Sequence, residues 1–258
     1  MISTCIAPHA PYTVSNQTFE TVLTYAEQLG LGIHTHLHET RDEIAQSQTE
    51  FGLRPLQRLA QLGLLSPNFV AAHGVHLLGS EIDILAEFGC HIAHCPSSNL
   101  KLASGIAPIS KLLAKGVNVG LGTDGAASNN RLDLFAEMRL SALLAKGMSE
   151  DATVIPAHQA LEMATINAAK AMGLEDKIGS IEIGKLADLT AVKLNESIIK
   201  PCYDPISHLV YTCGREHVSH TWVTGELRYS NGLYANIEPL ELKEIINTWQ
   251  PKLQQHKH

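Results

Sequence analysis

S-E-I-D-I-L-A-E-F-G-C-H-I-A-H, residues 80–94, contains one complete structural unit. Through Phe88 its apolar residues recur at intervals of three and four, which is the pattern of an amphipathic helix. Gly89 then supplies a left-handed stop, and the hydrophobic run 90–94 reads as a buried strand. The same punctuation recurs at Leu29-Gly30 ahead of residues 31–37 and at Lys115-Gly116 ahead of residues 118–122. Further strands are expected at 3–8 and 69–73. Residues 15–29 place Phe19, Val22, Leu23 and Ala26 at helical spacing, with Ser15 as N-cap and Thr18 and Glu20 in the first turn. Helix, glycine stop, buried strand and polar loop, repeated five times over residues 1–175, is the grammar of parallel βα units, which close into a barrel or lie in an open wound sheet.

After Leu174 the texture changes. I-G-S-I-E-I-G-K-L-A-D-L, within residues 177–193, alternates strand-like pieces with glycine turns, and residues 218–233 do the same, with Asn231-Gly232 as a hairpin signal. The expectation for 176–258 is a small β module closed by an amphipathic helix over residues 240–255.

With 45% apolar and 17% charged residues, the 258-residue chain has an ordinary globular composition. Its formal charge of −7, with Lys and Arg scattered, excludes a basic stripe for nucleic acid. Five cysteines, odd in number and without a C-x-x-C pair, fit a reducing cytosol rather than a disulfide framework. No apolar leader follows Met1, and no run of about eighteen apolar residues marks a membrane span. The expectation is therefore a cytoplasmic protein with no membrane and no nucleic-acid partner.

The chain has fourteen histidines, two of them in the terminal His256/His258 pair, which reads as a frayed polar tail. Most of the rest sit in apolar runs, where an imidazole needs a partner or a metal. His9, His34, His36, His38, Glu39, His73, His94 and Asp124 all fall where strands should end, and active sites of parallel α/β folds are built there. In H-T-H-L-H-E-T the period of two puts His34, His36 and His38 on one strand face, where one of them could bind zinc beside Glu39 as a proton carrier. Alternatively these rings simply hydrogen-bond to neighbouring loops.

Three motifs fail. His38-Glu39 begins H-E-x-x-H, but Asp42 stands at the fifth position. Gly120, Gly122 and Gly125 match G-x-G-x-x-G, but Asp124 inside the loop would repel a pyrophosphate, and no second strand ends in an acid about twenty residues later. The H-x-E with P-C-x-x-C signature of nucleobase deaminases is absent.

A-P-H-A-P-Y-T, H-L-H-E-T, A-A-H-G-V-H-L, H-C-P-S-S-N-L-K-L-A-S-G-I-A-P and G-L-G-T-D-G-A-A-S-N-N together resemble the amidohydrolase superfamily. The likeness is strongest to its 5-methylthioadenosine/S-adenosylhomocysteine deaminase group and the related chlorohydrolases. D-P-I-S-H-L-V-Y (residues 204–211) and the glycine-turn run above resemble the same family's C-terminal β module. The resemblance implies an α/β fold, a partial (β/α)8 barrel carrying strands four to eight, with half of a β-sandwich behind it. It implies one divalent metal ion, zinc in the first instance and iron(II) or nickel(II) as alternatives, held by His36 and Asp124. It implies Glu39 as proton shuttle, His73 as the residue steadying the attacking water, Asp124 as proton acceptor, and His9, Glu39, Asp124 and Ser128 around a purine nucleoside substrate. His34, His38 and His94 have no catalytic counterpart and are expected to be structural.

One departure from the family matters. Members carry a further H-x-H pair on strand one; His34-x-His36 mimics it, but its flanks identify strand five. The chain is accordingly expected to be a C-terminal fragment, inactive and weak in metal binding by itself unless a complementing N-terminal half or a homo-oligomer completes it. Other expectations are a guanine deaminase or s-triazine chlorohydrolase activity, and a non-catalytic remnant or interaction subunit.

Overall fold

The structure, a computed structural model, describes residues 2–255, so the His256/His258 tail lies outside the described residues. Helix α1 (Asn16–Leu29) starts as its sequence requires: the Ser15 hydroxyl accepts from the Thr18 amide at 3.2 Å, and Gly30 ends the helix at φ 62°. Strand β1 (Ile33–Leu37) follows, then α2 (Arg41–Phe51), α3 (Pro55–Gln61), β2 (Phe69–His73), α4 (Gly79–Glu87) and β3 (His91–His94). The chain continues through α5 (Pro96–Lys101), α6 (Ile109–Ala114), β4 (Asn118–Leu121), α7 (Leu134–Ser149), α8 (Ala157–Met163) and α9 (Ile166–Ala171).

The four strands form one parallel sheet in the order β1-β2-β3-β4, each pair linked by helical crossovers. This is an α/β, TIM-barrel-like arrangement. Leu37 pairs with His73 and His94 with Leu121, so the C-terminal strand ends, and the loops that follow them, gather at one rim. Phe19, Leu59, Phe69, Leu85, Ile92 and Val119 are completely buried between sheet and helices, each contributing roughly 1.5–3 kcal/mol by leaving water. The glycines of the failed dinucleotide motif are packing glycines: a Cβ on Gly120 would lie 3.0 Å from the Ala168 Cα of α9, and one on Gly122 would lie 3.1 Å from the Cys95 thiol.

Residues 3–8, expected as a strand, make only an isolated parallel bridge between Ile6 and Ile33. The segment still lies along the edge of β1: Ile6 N–H donates to Gly32 O, and His34 and His36 donate to Ile6 O and His9 O. Pro8 has no N–H to give, which keeps the ladder from extending.

Beyond the parallel sheet, β5 (Leu189–Val192) leads into α10 (Pro205–Tyr211), β6 (Val218–Val223), β7 (Glu226–Ser230), β8 (Leu233–Tyr234) and α11 (Pro239–Gln254), the four strands forming a separate antiparallel sheet. Asn231 at φ 47° and Gly232 at φ 94° make the expected two-residue turn between β7 and β8. Of the run 177–193, however, only β5 is a strand. The preceding piece folds on itself, with Leu186 N–H on Lys177 O, and leaves Ile181 and Ile183 exposed because no neighbouring strand pairs with it. Helix α11 forms where expected, and none of its residues is buried. Among the described residues, no helix is long and apolar enough to cross a membrane.

Arg58 is, among the described residues, the one Lys or Arg buried to this degree, 2% exposed and stacked 3.8 Å from the Phe51 ring centre. It donates to Pro11 O, Val14 O and Asn16 Oδ1, tying the loop that carries His9 onto α3. Arg58→Met should leave three acceptors without a donor and cost about 3 kcal/mol in urea unfolding; a loss below about 1 kcal/mol would show that the loop holds itself.

Candidate metal centre

Strands β1, β2 and β4 each lead to one polar group at the rim. His36 leaves β1 on its half-buried face, and its Nδ1 donates to the His9 carbonyl at 2.5 Å, which leaves Nε2 for the centre. His73 ends β2 at φ 74°, a left-handed conformation that only surrounding structure can hold, and Asp124 follows β4 at φ 60°. Donor atoms of His36, His73 and Asp124 all lie within 4.8 Å of one another. The His36 and His73 rings stack at 5.4 Å between centres, 15° from parallel. Glu39 Oε2 stands 3.8 Å from His73 Nε2, and Glu39 Oε1 accepts from Ser104 Oγ at 3.3 Å.

Ser98 and Ser128 both donate to Asp124 Oδ2, each at 2.6 Å, which leaves Oδ1 free of both hydroxyls. Burial pushes the Asp124 carboxyl up, but these two hydroxyls, the Gly125 amide and the neighbouring His73 bring it to a net position below the usual carboxylate range. Among the described residues neither Asp124 nor Glu39 has a Lys or Arg within salt-bridge distance. Two imidazoles and a carboxylate converging without a cation of their own are a donor set that suits a zinc-class divalent ion. Cys95 is no part of it: burial, with Asp124 and Glu137 nearby, pushes its thiol up to about 12.

The other expected residues fall as follows. His9 is exposed, its ring 5.0 Å from that of His36 and its Nδ1 2.8 Å from Thr13 Oγ1. Ser128 sits on Asp124. The three-histidine face is corrected by the backbone: His34 and His36 share it, but His38 turns away at φ 54° into the core, where its Nε2 accepts from the Leu56 amide. Burial, only partly opposed by Glu81, takes the His38 imidazole down to about 4. His34, partly desolvated and near His36 and His73, is held below the usual imidazole range. His94 is buried, pushed down to about 3 by burial and by His73, and its Nδ1 has no hydrogen-bond partner.

Sequence reading missed the contacts that Ser98, Asn99 and Ser104 make with Asp124, His73 and Glu39. The one available signal was the position of P-S-S-N directly after a strand end, in register with the other rim groups.

Fold and site together define an α/β, TIM-barrel-like protein with a cluster of metal-competent side chains at its strand ends. The chain belongs to the Amidohydrolase family, whose profile matches residues 1–228. A 5-methylthioadenosine/S-adenosylhomocysteine deaminase of Teredinibacter turnerae is 47% identical over 98% of the chain and 57% of its own length. A namesake from Moorella thermoacetica is 47% identical over 95% of the chain and 56% of its own length. The crystal structure of a Xanthomonas campestris adenosine deaminase with bound zinc superposes with a TM-score of 0.96 at 42% identity, covering 98% of this chain and 58% of that one. A zinc complex of an atrazine chlorohydrolase from Arthrobacter aurescens gives 0.86 at 28% identity, covering 95% and 53%. The chain therefore spans little more than half the length of the curated relatives it matches.

Glu43, one turn beyond Glu39 on α2, is 4% exposed, and neither of its oxygens has a hydrogen-bond partner. Burial raises its carboxyl to about 7, with nearby backbone amides opposing and Glu39 adding. The native state thus keeps this proton to higher pH than the unfolded chain does, and stability falls as pH rises from about 4.5 through about 7. Glu43→Gln should remove that slope and be more stable than the parent by roughly 3 kcal/mol near pH 8 and by almost nothing near pH 4. Parallel stability–pH curves for the two proteins would contradict this.

Proposed function

We propose that this chain carries the greater part of the reaction centre of a metal-dependent deaminase acting on an adenosine-type nucleoside, of the 5'-methylthioadenosine/S-adenosylhomocysteine kind. The observation that carries the reading is the convergence of His36, His73 and Asp124 within 4.8 Å, with the Glu39 carboxylate beside them. The names of the relatives support the substrate class, and the zinc of the related structures supports the metal. His36 and Asp124 would hold the ion, zinc before iron(II) or nickel(II). A divalent ion there supplies Lewis acidity and makes a water acidic enough to attack near neutral pH.

The chain's own groups do the rest. Asp124 takes the proton of the attacking water through the oxygen that its serines leave open. Glu39 gives a proton to a ring nitrogen, so that the amino-bearing carbon becomes electrophilic. His73 steadies the attacking oxygen and the charge that develops on the tetrahedral carbon. Proton return to the amino group releases ammonia and leaves the inosine-type product. His9 and Ser128, at the two sides of the rim, would contact the nucleoside.

On this reading the parallel sheet is the strand-four-to-eight portion of a (β/α)8 barrel within 1–175, with Ile6 marking the position of strand four, and 176–258 is half of a composite β-sandwich. The remaining ligands and the upstream substrate contacts would come from a complementing N-terminal half or another copy of the chain. The five free cysteines accord with a cytoplasmic setting.

The test is ammonia release by this chain fused behind the N-terminal residues of the Teredinibacter turnerae relative that it does not align with. Turnover of 5'-methylthioadenosine, S-adenosylhomocysteine or adenosine, and not of guanine or an s-triazine, is the expected result. Release from guanine or a triazine alone would favour the other amidohydrolase activities. Glu39→Gln in that fusion should lower turnover by at least about a thousandfold while its zinc content, by elemental analysis, is unchanged; retained turnover refutes the shuttle role.

A further inference from the structure

Two buried polar side chains on one short helix touch the two donors that β1 does not supply. In α5, Ser98 and Asn99 are 0% and 1% exposed. Ser98 Oγ caps Asp124 Oδ2, while Asn99 Oδ1 lies 2.8 Å from His73 Nδ1. The helix cannot drift: Ser97 N–H donates to Glu137 Oε2 at 2.9 Å, and the Asn99 carbonyl accepts from the Ser104 amide at 2.8 Å. Asn99 Nδ2, by contrast, is buried with no partner. A half-satisfied amide costs about 1–3 kcal/mol, a cost that an apolar side chain of the same shape would avoid.

We propose that Asn99 is a positioning residue that holds His73 in its Nδ1–H tautomer, so that the Nε2 lone pair faces the centre. His36 provides the internal reference. Its Nδ1 faces a backbone carbonyl, which only accepts, so its proton must be on Nδ1 and its lone pair on Nε2. The His73 ring stacks nearly parallel to it, with the Asn99 amide oxygen behind it in the role of that carbonyl. The His73 backbone, in the left-handed region, is pinned by the Gly74 amide on Leu37 O at 3.0 Å, which leaves the ring little freedom but the choice of which nitrogen carries hydrogen. An acceptor behind the ring settles that choice, as second-shell carbonyls do for metal-bound imidazoles. The unpaired Nδ2 is what remains of an amide turned to present its oxygen. The opposite orientation would put a proton on Nε2, 3.8 Å from Glu39 Oε2, and withdraw His73 from the converging donors.

The inference rests on this cluster being the reaction centre, but its readout is the ring itself. The chain, labelled with ¹⁵N-histidine, is examined at pH 8 by long-range ¹H–¹⁵N correlation, with His73 assigned from His73→Gln. The expected result is a protonated Nδ1 and a pyridine-type Nε2, preserved in Asn99→Asp and shifted toward Nε2–H in Asn99→Leu. Nε2–H in the parent, or an unaltered His73 pattern in Asn99→Leu, overturns the proposal. The parent measurement needs no substitution to fold. Failure of the unsubstituted chain to take up zinc would count against the metal centre alone, and the tautomer would still decide the role of Asn99.

Discussion

Donor atoms of Asp124, His36 and His73 converge within 4.8 Å with the Glu39 carboxylate beside them, and among the described residues no Lys or Arg lies within salt-bridge distance of either carboxylate. Such an arrangement opposes itself: lone pairs and two carboxyl groups in a partly desolvated rim repel unless a proton or cation joins them. The surrounding structure can be understood as what it takes to hold these groups in place. Two residues sit in left-handed backbone conformations at strand ends, two serines cap the outer oxygen of Asp124, a carbonyl fixes the His36 ring and an amide abuts the His73 ring. Conformations of that kind persist where neighbouring contacts over-determine them, and they concentrate at functional sites.

The restraint is distributed over the loops behind the rim. Glu137, at 1% exposure, accepts from Ser97 N–H and from Asn129 Nδ2, locking the loop after β3 to the loop that follows Asp124. Lys101 reaches the same loop through Ala127 O and Asn130 Oδ1. On the β1 side, Arg54 grips Glu81 with two nitrogens and donates to the His76 carbonyl, which fixes the turns that follow β1 and β2. These charged side chains touch no reacting atom, and their pairing spares them the full cost of burial.

Much of this was legible in the sequence because parallel βα units announce themselves. Glycine stops and hydrophobic runs located four of the strands to within a residue or two, and the strand ends carried His36, His73 and Asp124 to one rim as expected. What stayed hidden has physical causes. The period-two rule failed at His38 because the chain leaves the extended conformation there, which no spacing rule detects. The strand at 3–8 shrank to a bridge at an edge interrupted by proline. The glycine-rich piece ahead of β5, residues 177–188, alternates like a strand but finds nothing to pair with. Ser98 and Asn99 were unreadable because their meaning depends on a close approach between α5 and residues more than twenty positions away. The amphipathic pattern of α11 was correctly seen as a helix, but a pattern cannot say whether its apolar face is covered.

The central claim is that His36 and Asp124 bind one divalent ion. It is tested most directly by crystals of this chain soaked in zinc, with anomalous difference maps recorded on both sides of the zinc absorption edge. The account predicts one dominant peak about 2.0–2.2 Å from His36 Nε2 and from the Asp124 Oδ1 oxygen. A map without a peak between these two side chains, or with zinc only at other surface histidines, would contradict it.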